Sequence, residues 1–253
     1  MTQVIFPLVL MGMFLGYSLY MIQKRKKAMP DATRMFLERT GYRYADILDQ
    51  PLEAHVHHGE RLMKNARKGY RIHMVRNFHD MPIHSLQEST VESGLTSTTT
   101  SISYTWSLPL PRPLRFQLQI AEKSLRGFAK GVKEAFSSSE RVWDQLYPFQ
   151  VTTGNAEFDA RFNVYSDQPQ AAQMAVHSSG LMPLLLRCTE VDLATTGDHI
   201  RFSDPMQKNI TGVMGGTLGV MAMAANVGKM MELQIPVHEL MAQVLATTYQ
   251  ACA

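Results

Sequence analysis

The sequence predicts an α+β fold: an N-terminal transmembrane helix followed by an antiparallel sheet packed with helices. Three observations carry that expectation. Val4 to Ile22 contain no charged residue, and the stretch stops at Gln23-Lys24-Arg25-Lys26-Lys27. Between Glu53 and Lys123 apolar and polar residues alternate with the period of two that marks half-buried antiparallel strands. The rest of the chain mixes such alternation with helical spacing, and each half runs from strands to helix, a pattern compatible with two related halves.

The N-terminal element is justified by length and charge. Roughly 19 apolar residues at a rise of 1.5 Å are enough to cross the hydrocarbon core of a bilayer. No basic residue precedes them, the reverse of a secretory signal peptide. The positive-inside rule puts Lys24, Arg25, Lys26 and Lys27 in the cytoplasm, so the N-terminus lies outside and the remainder inside a bacterial inner membrane. Gly12 and Gly16 form a GxxxG spacing through which two membrane helices can pair as a homodimer. The four basic residues are candidates for anionic headgroup contact as well as for setting topology. Four segments follow: the transmembrane helix at 1–23, a basic juxtamembrane segment and helix at 24–52, a first α+β half at 53–150, and a second at 151–253 with helices at its end.

Beyond the span, Pro30 and Asp31 read as a helix start and Gly41 as its end, with a second helical stretch from Tyr44 to Leu48. "RIHMVRNF", "TSTTTSISYTWSLPLP" and "PLRFQLQIA" read as strands, separated by the prolines at 109, 111 and 113. "AEKSLRGFAKGVKEAF" carries Leu125, Phe128, Val132 and Phe136 at helical spacing. "FDARFNVYS" reads as a strand with Phe158, Ala160, Phe162 and Val164 on one face. Ser166 or Asp167 then caps a helix that holds Pro169 in its first turn. "LMPLLLRC" reads as a short apolar helix, and "EVDLATTGDHIRFSDP" as a hairpin turning at "TTGD". Residues 209–228 are uncharged and long enough for a second span, but five glycines and two asparagines favour a loop or packed helix. A last helix begins at Pro236 and buries Leu240, Val244 and Leu245.

Composition excludes more than it assigns. A formal net charge of +3, with no zinc-finger spacing and no long basic helix, gives no sign of a nucleic-acid partner. Cys188 and Cys252 form no CxxC motif, which fits a reducing compartment. "GVMGGTLG" lacks the G-K-[ST] ending of a phosphate-binding loop, so no nucleotide cofactor is expected. Histidine is the one concentrated chemical resource. On a strand, His55 and His57 share a face, and His73 or His84 is within reach as a third metal ligand, the imidazole set that suits zinc, copper or nickel. No HExxH spacing accompanies them, and surface histidines on a sheet explain the same cluster. Glu157, Asp159 and Asp167 invite an acid/base reading, but a strand face and a helix cap account for Asp159 and Asp167 without chemistry.

"EFDARFNVYSDQPQAA", coming after a span and a basic stop, resembles a family of bacterial membrane-anchored proteins described as a domain of unknown function. Phe158, Asp159, Phe162, Val164, Ser166, Asp167 and Ala171 carry the resemblance, which extends over residues 50 to 205. It implies a cytoplasmic α+β domain on a single N-terminal span and brings no activity and no catalytic residues. The expected function is therefore a non-enzymatic, membrane-tethered interaction or assembly module with the lipid bilayer and an unidentified protein as partners. The alternatives are a membrane-anchored metal-dependent hydrolase using His55, His57 and His73, and an accessory subunit of a transport or envelope complex.

Overall fold

The computed structural model describes residues 20, 23, 27–64, 70–93, 98–123, 145–188, 191–204 and 227–253. The expected span at Val4–Ile22 lies outside these residues apart from Tyr20, as do Gly12, Gly16, Lys24, Arg25 and Lys26. So do nearly all of the expected helix at 121–136 and the uncharged stretch at 209–228 save its last two residues. Among the described residues no helix is long and apolar enough to cross a membrane.

Helix α1 occupies residues 27–40 and starts earlier than Pro30, because its buried stripe of Met29, Ala32, Thr33, Phe36 and Leu37 already begins at Met29. It ends where Gly41 takes φ +72° and donates its N–H to Leu37 O at 3.0 Å. Strand β1 (Arg43–Tyr44) and a 3-10 turn (Ala45–Ile47) lead into α2 (Leu52–Lys64). His55 and His57 are therefore on a helix, not on the expected strand. The buried or half-buried set Leu52, His55, Val56, Gly59 and Leu62 has helical spacing, and that outweighs the short-range alternation. Gly59 has a packing role: a Cβ there would stand 2.5 Å from the Tyr44 hydroxyl and 3.0 Å from Thr33 Cγ2, so α1, α2 and β1 meet only over a bare backbone.

Strands β2 (Tyr70–Phe78), β3 (Met81–Ser93), β4 (Thr98–Pro109) and β5 (Leu118–Glu122) follow. Then come β6 (Phe149–Val151), α3 (Ala156–Arg161), β7 (Phe162–Ser166), α4 (Pro169–Ser178) and α5 (Leu181–Leu186). Strands β8 (Asp192–Thr196) and β9 (His199–Asp204) and helix α6 (Val227–Cys252) complete the fold. The strands form one sheet in the order β1-β2-β3-β4-β9-β8-β5-β7-β6, with each neighbouring pair antiparallel. The sheet crosses the expected boundary at residue 150. Strand β5 of the first half sits between β7 and β8 of the second, and β4 pairs with β9.

One sheet face carries Ile83, Trp106, Leu108, Leu118, Ile120, Val164, Leu193, Ile200 and Phe202 into a core closed by α4, α5 and α6. A second, smaller core joins Phe36, Leu37, Tyr42, Tyr44, Val56, Ile72 and Met74. Met231 and Ile235 pack against this second core, so α6 extends well before Pro236, which lies inside the helix rather than at its start. That packing offsets the hydrogen bond proline cannot donate.

The stretch Phe158–Arg161 is helical, which corrects the expected continuous strand. Gly154 adopts φ +84°, and the Asn155 side chain accepts the Phe158 N–H at 3.0 Å, an N-cap that starts α3. Phe158 and Phe162 share a face either as alternate strand positions or as i and i+4 of a helix. Their ring centroids lie 4.6 Å apart, so the pattern alone did not separate the two. Asn155→Ala is expected to lower stability by about 1 kcal/mol, measured as a shift in denaturant midpoint at unchanged slope.

Candidate functional site

The histidines named as alternative metal ligands lie on different elements, His55 and His57 on α2 and His73 on β2. His55 is buried, and its Nδ1 accepts the Tyr44 backbone N–H at 3.0 Å. Burial lowers its pKa, Arg43 adds to the shift, and a proton on Nδ1 would face the donor that nitrogen now receives. His57 is exposed and lies 3.4 Å from Glu60. His73 is on β2, where its Nε2 meets His84 Nδ1 of β3 at 2.9 Å. Only one of those facing nitrogens can carry the hydrogen between them. Burial, with His73 adding to it, lowers the pKa of His84. Among the described residues no group of three or more His, Cys, Asp or Glu side chains is arranged to hold a metal ion.

The carboxylates have structural duties. Asp159 accepts N–H bonds from Thr153 and Gly154, each at 3.0 Å, and the Thr153 hydroxyl at 2.8 Å. Burial alone would raise its pKa, but these bonds outweigh it and hold the carboxyl low. Asp167 does not cap α4. It accepts the Gln117 N–H at 2.7 Å and so fixes the approach to β5. Ser166 Oγ accepts the Gln168 N–H at 3.0 Å, while Pro169 sits in the first turn of α4 as expected. Glu157 is exposed in the first turn of α3. Arg161 bridges Glu122 at 2.9 Å and the Leu186 and Cys188 carbonyls at 2.9 and 2.5 Å, tying α3 to the end of α5.

What tertiary structure brings together lies on the outward face of β2, β3, β4 and β9. Here alternate residues point away from the helices and form an open groove of about 400 Å³, lined by Arg71, His73, His84, Leu86, Thr105, Ser107, Pro109, Asp198 and His199. His84 lies opposite Ser107, and Pro109 opposite His199, so neighbouring strands contribute at matching depth. At the β8–β9 turn, His199 Nδ1 meets Asp198 Oδ1 at 2.6 Å and Thr196 Oγ1 at 2.9 Å. A hydroxyl, an imidazole and a carboxylate are thus adjacent, but both oxygens address the same nitrogen. A proton relay needs the carboxylate on one ring nitrogen and the nucleophile on the other. The trio is a turn clasp. The groove offers hydrogen-bond donors and acceptors on a rigid sheet without an activated nucleophile. Only His73 and His84 of this groove stood out in the sequence; Thr105, Ser107 and His199 lie on strands whose polar face reads as ordinary solvent exposure.

On the opposite face a polar seam divides the two cores. Arg76 of β2 points inward, pairs with Glu239 of α6 at 2.6 and 3.1 Å, and donates to Thr40 O at 3.0 Å. Its guanidinium lies over the rings of Tyr42 and Phe78, at 5.5 and 5.0 Å. Beside it, Trp106 Nε1 donates to His238 Nδ1 at 3.2 Å. Burial, with a smaller effect from Arg76, lowers the His238 pKa to about 3.

No protein-family model matches the sequence, and no curated protein matches it. Among solved structures, the crystal structure of the mycobacterial trehalose monomycolate transport factor A, TtfA, is similar over 87% of this chain and 96% of that chain, at 9% sequence identity and a TM-score of 0.37. A likeness of that degree carries no argument about this chain.

Proposed function

We propose that this chain is a single-pass, membrane-tethered interaction or assembly module, with its α+β domain on the cytoplasmic side of a bacterial inner membrane and its outward sheet face as the docking surface. The groove over β2, β3, β4 and β9, open among the described residues, is the observation that supports this reading most. It presents polar groups on a rigid surface, and its one hydroxyl–imidazole–carboxylate trio is wired as a clasp. The uncharged stretch Val4–Ile22 and the basic run that ends it supply the tether and its orientation. Pairing through Gly12 and Gly16 would place two such faces side by side and raise avidity.

A photo-crosslinking side chain at Ser107 tests the docking surface, with Gln243, exposed on α6, as the control position. The expected result is one discrete adduct from position 107 and none from 243, lost when Thr105→Trp fills the groove. Equal adducts from both positions would sink the proposal. The hydrolase alternative makes the opposite demand: near-stoichiometric metal in the purified chain, removed by His73→Ala.

A further inference from the structure

The geometry points to a binding site for a zinc-class divalent ion on His73 and His84, completed by a side-chain imidazole or carboxylate of the docked partner. The partner's share of the site rests on the docking reading above; the metal's share does not. Two strands bring the ligands together. In the β2–β3 ladder His73 lies opposite Leu86 and His84 opposite Val75, so the two histidines are diagonal neighbours on the outward face. His73 is exposed, His84 is half-buried, and both line the groove that is open among the described residues. His73 Nε2 and His84 Nδ1 face each other at 2.9 Å, with ring centroids 5.1 Å apart and ring planes 28° from parallel.

One hydrogen lies between these two nitrogens. Moved to the outer nitrogen of its own ring, it leaves two neutral imidazoles with lone pairs facing the same space. Neutral imidazole nitrogens suit zinc, copper and nickel, whereas calcium and magnesium ask for oxygen ligands that the pair does not offer. Metal–nitrogen bonds of about 2.0–2.1 Å set two ligands about 3.3 Å apart in a tetrahedral site. The nitrogens therefore have to part by about 0.4 Å, and the rings, which meet nearly end to end, have to tilt outward. Small side-chain rotations supply that motion, because Ser107, opposite His84, and Thr105, opposite Leu86, leave the groove open beside the rings. The nearby cation on β2 is Arg71, and Glu88 offsets its charge at 3.2 Å.

Two protein ligands are fewer than a catalytic or a structural zinc site holds. Among the described residues no third His, Cys, Asp or Glu joins the pair. His199, the other imidazole of the groove, stands about 12 Å from His84 by strand spacing and rise. Its Nδ1 is also held by Asp198 and Thr196. The remaining coordination positions therefore face the groove, where a partner's imidazole or carboxylate enters and docking becomes metal-dependent. A site with two protein ligands exchanges its ion with solution, unlike the retained metal that the hydrolase alternative demands.

The test titrates Zn²⁺ alone into the untagged full chain, stripped beforehand with a chelator, against a competing chromophoric zinc indicator. One equivalent is expected to bind. His73→Ala and His84→Ala should each weaken it by at least the roughly 10- to 100-fold that loss of a ligand's outer partner costs. His58→Ala, which removes an imidazole 3.1 Å from Asp46, should leave binding unchanged. His73 is exposed, so its substitution leaves the denaturant midpoint in place and separates loss of metal from loss of fold. Absence of saturable binding, binding indifferent to both groove substitutions, or a loss that follows His58→Ala overturns the inference. The crosslinked adduct from position 107 should rise with zinc and fall with chelator; an adduct indifferent to both overturns the partner's share. Zinc bound through His73 and His84 with no adduct in either condition would support the metal site and sink the docking reading alone.

Discussion

Glu239→Ala is expected to cost about 3 kcal/mol of stability, because among the described residues it leaves the buried Arg76 guanidinium with only the Thr40 carbonyl to receive its protons. The Arg76 side chain is 6% exposed and that of Glu239 is 37% exposed, so the pair sits at the lip of the seam and the low end of the range for broken buried pairs applies. For a domain of this size, 3 kcal/mol corresponds to a fall of about 6–12 °C in Tm. The same reasoning predicts a contrast. Arg76→Met with Glu239→Leu removes both charges and refills the space, and should lie within about 1 kcal/mol of the parent. A single substitution that shifts Tm no more than an ordinary surface change would remove the seam from any account of how α6 is held.

Acidification is the second large effect. His238 is 2% exposed and accepts the Trp106 N–H on Nδ1, so the folded state binds its proton only near pH 3, whereas the unfolded chain binds it near 6.5. Between those values the unfolded state holds more protons, and stability must fall as pH falls. From pH 7 to 4.5 this one residue accounts for about 3 kcal/mol. His55 and His84, whose pKa values are also lowered, act in the same direction. Asp192, raised by burial despite Arg201, acts against them toward the acid end of the window. Urea midpoints measured across this range should therefore decline. In His238→Gln, whose amide oxygen can still accept from Trp106 without titrating, the decline should be shallower. An identical slope in parent and variant would contradict the assignment.

Much of the architecture was legible because strand alternation is a local signal. Ile72, Met74 and Arg76, then Leu114, Phe116, Leu118 and Ile120, are buried as their spacing required. The hairpin at Gly197–Asp198 formed where the turn residues put it. Where two periods coincide the signal fails. Phe158 and Phe162 fit either element, and Asn155 as a cap decided the outcome. His55 and His57 looked like alternate strand positions, while the helical stripe around them needed Tyr44 and Gly59 in place to be recognised.

The groove and the seam were not legible, because each joins residues from strands and helices far apart in sequence. Nothing local marks Arg76 as the partner of Glu239, or His199 as a neighbour of Ser107. The sequence by itself determined the strands, the turns, the uncharged N-terminal stretch and its basic stop, since each depends on the chemistry of neighbouring residues. Only the tertiary structure decided which residues share the outward sheet face, which charges are buried together, and at which end of the sheet α1 and α6 begin. Those are set by strand order and helix packing, which exist only once distant segments have closed on one another.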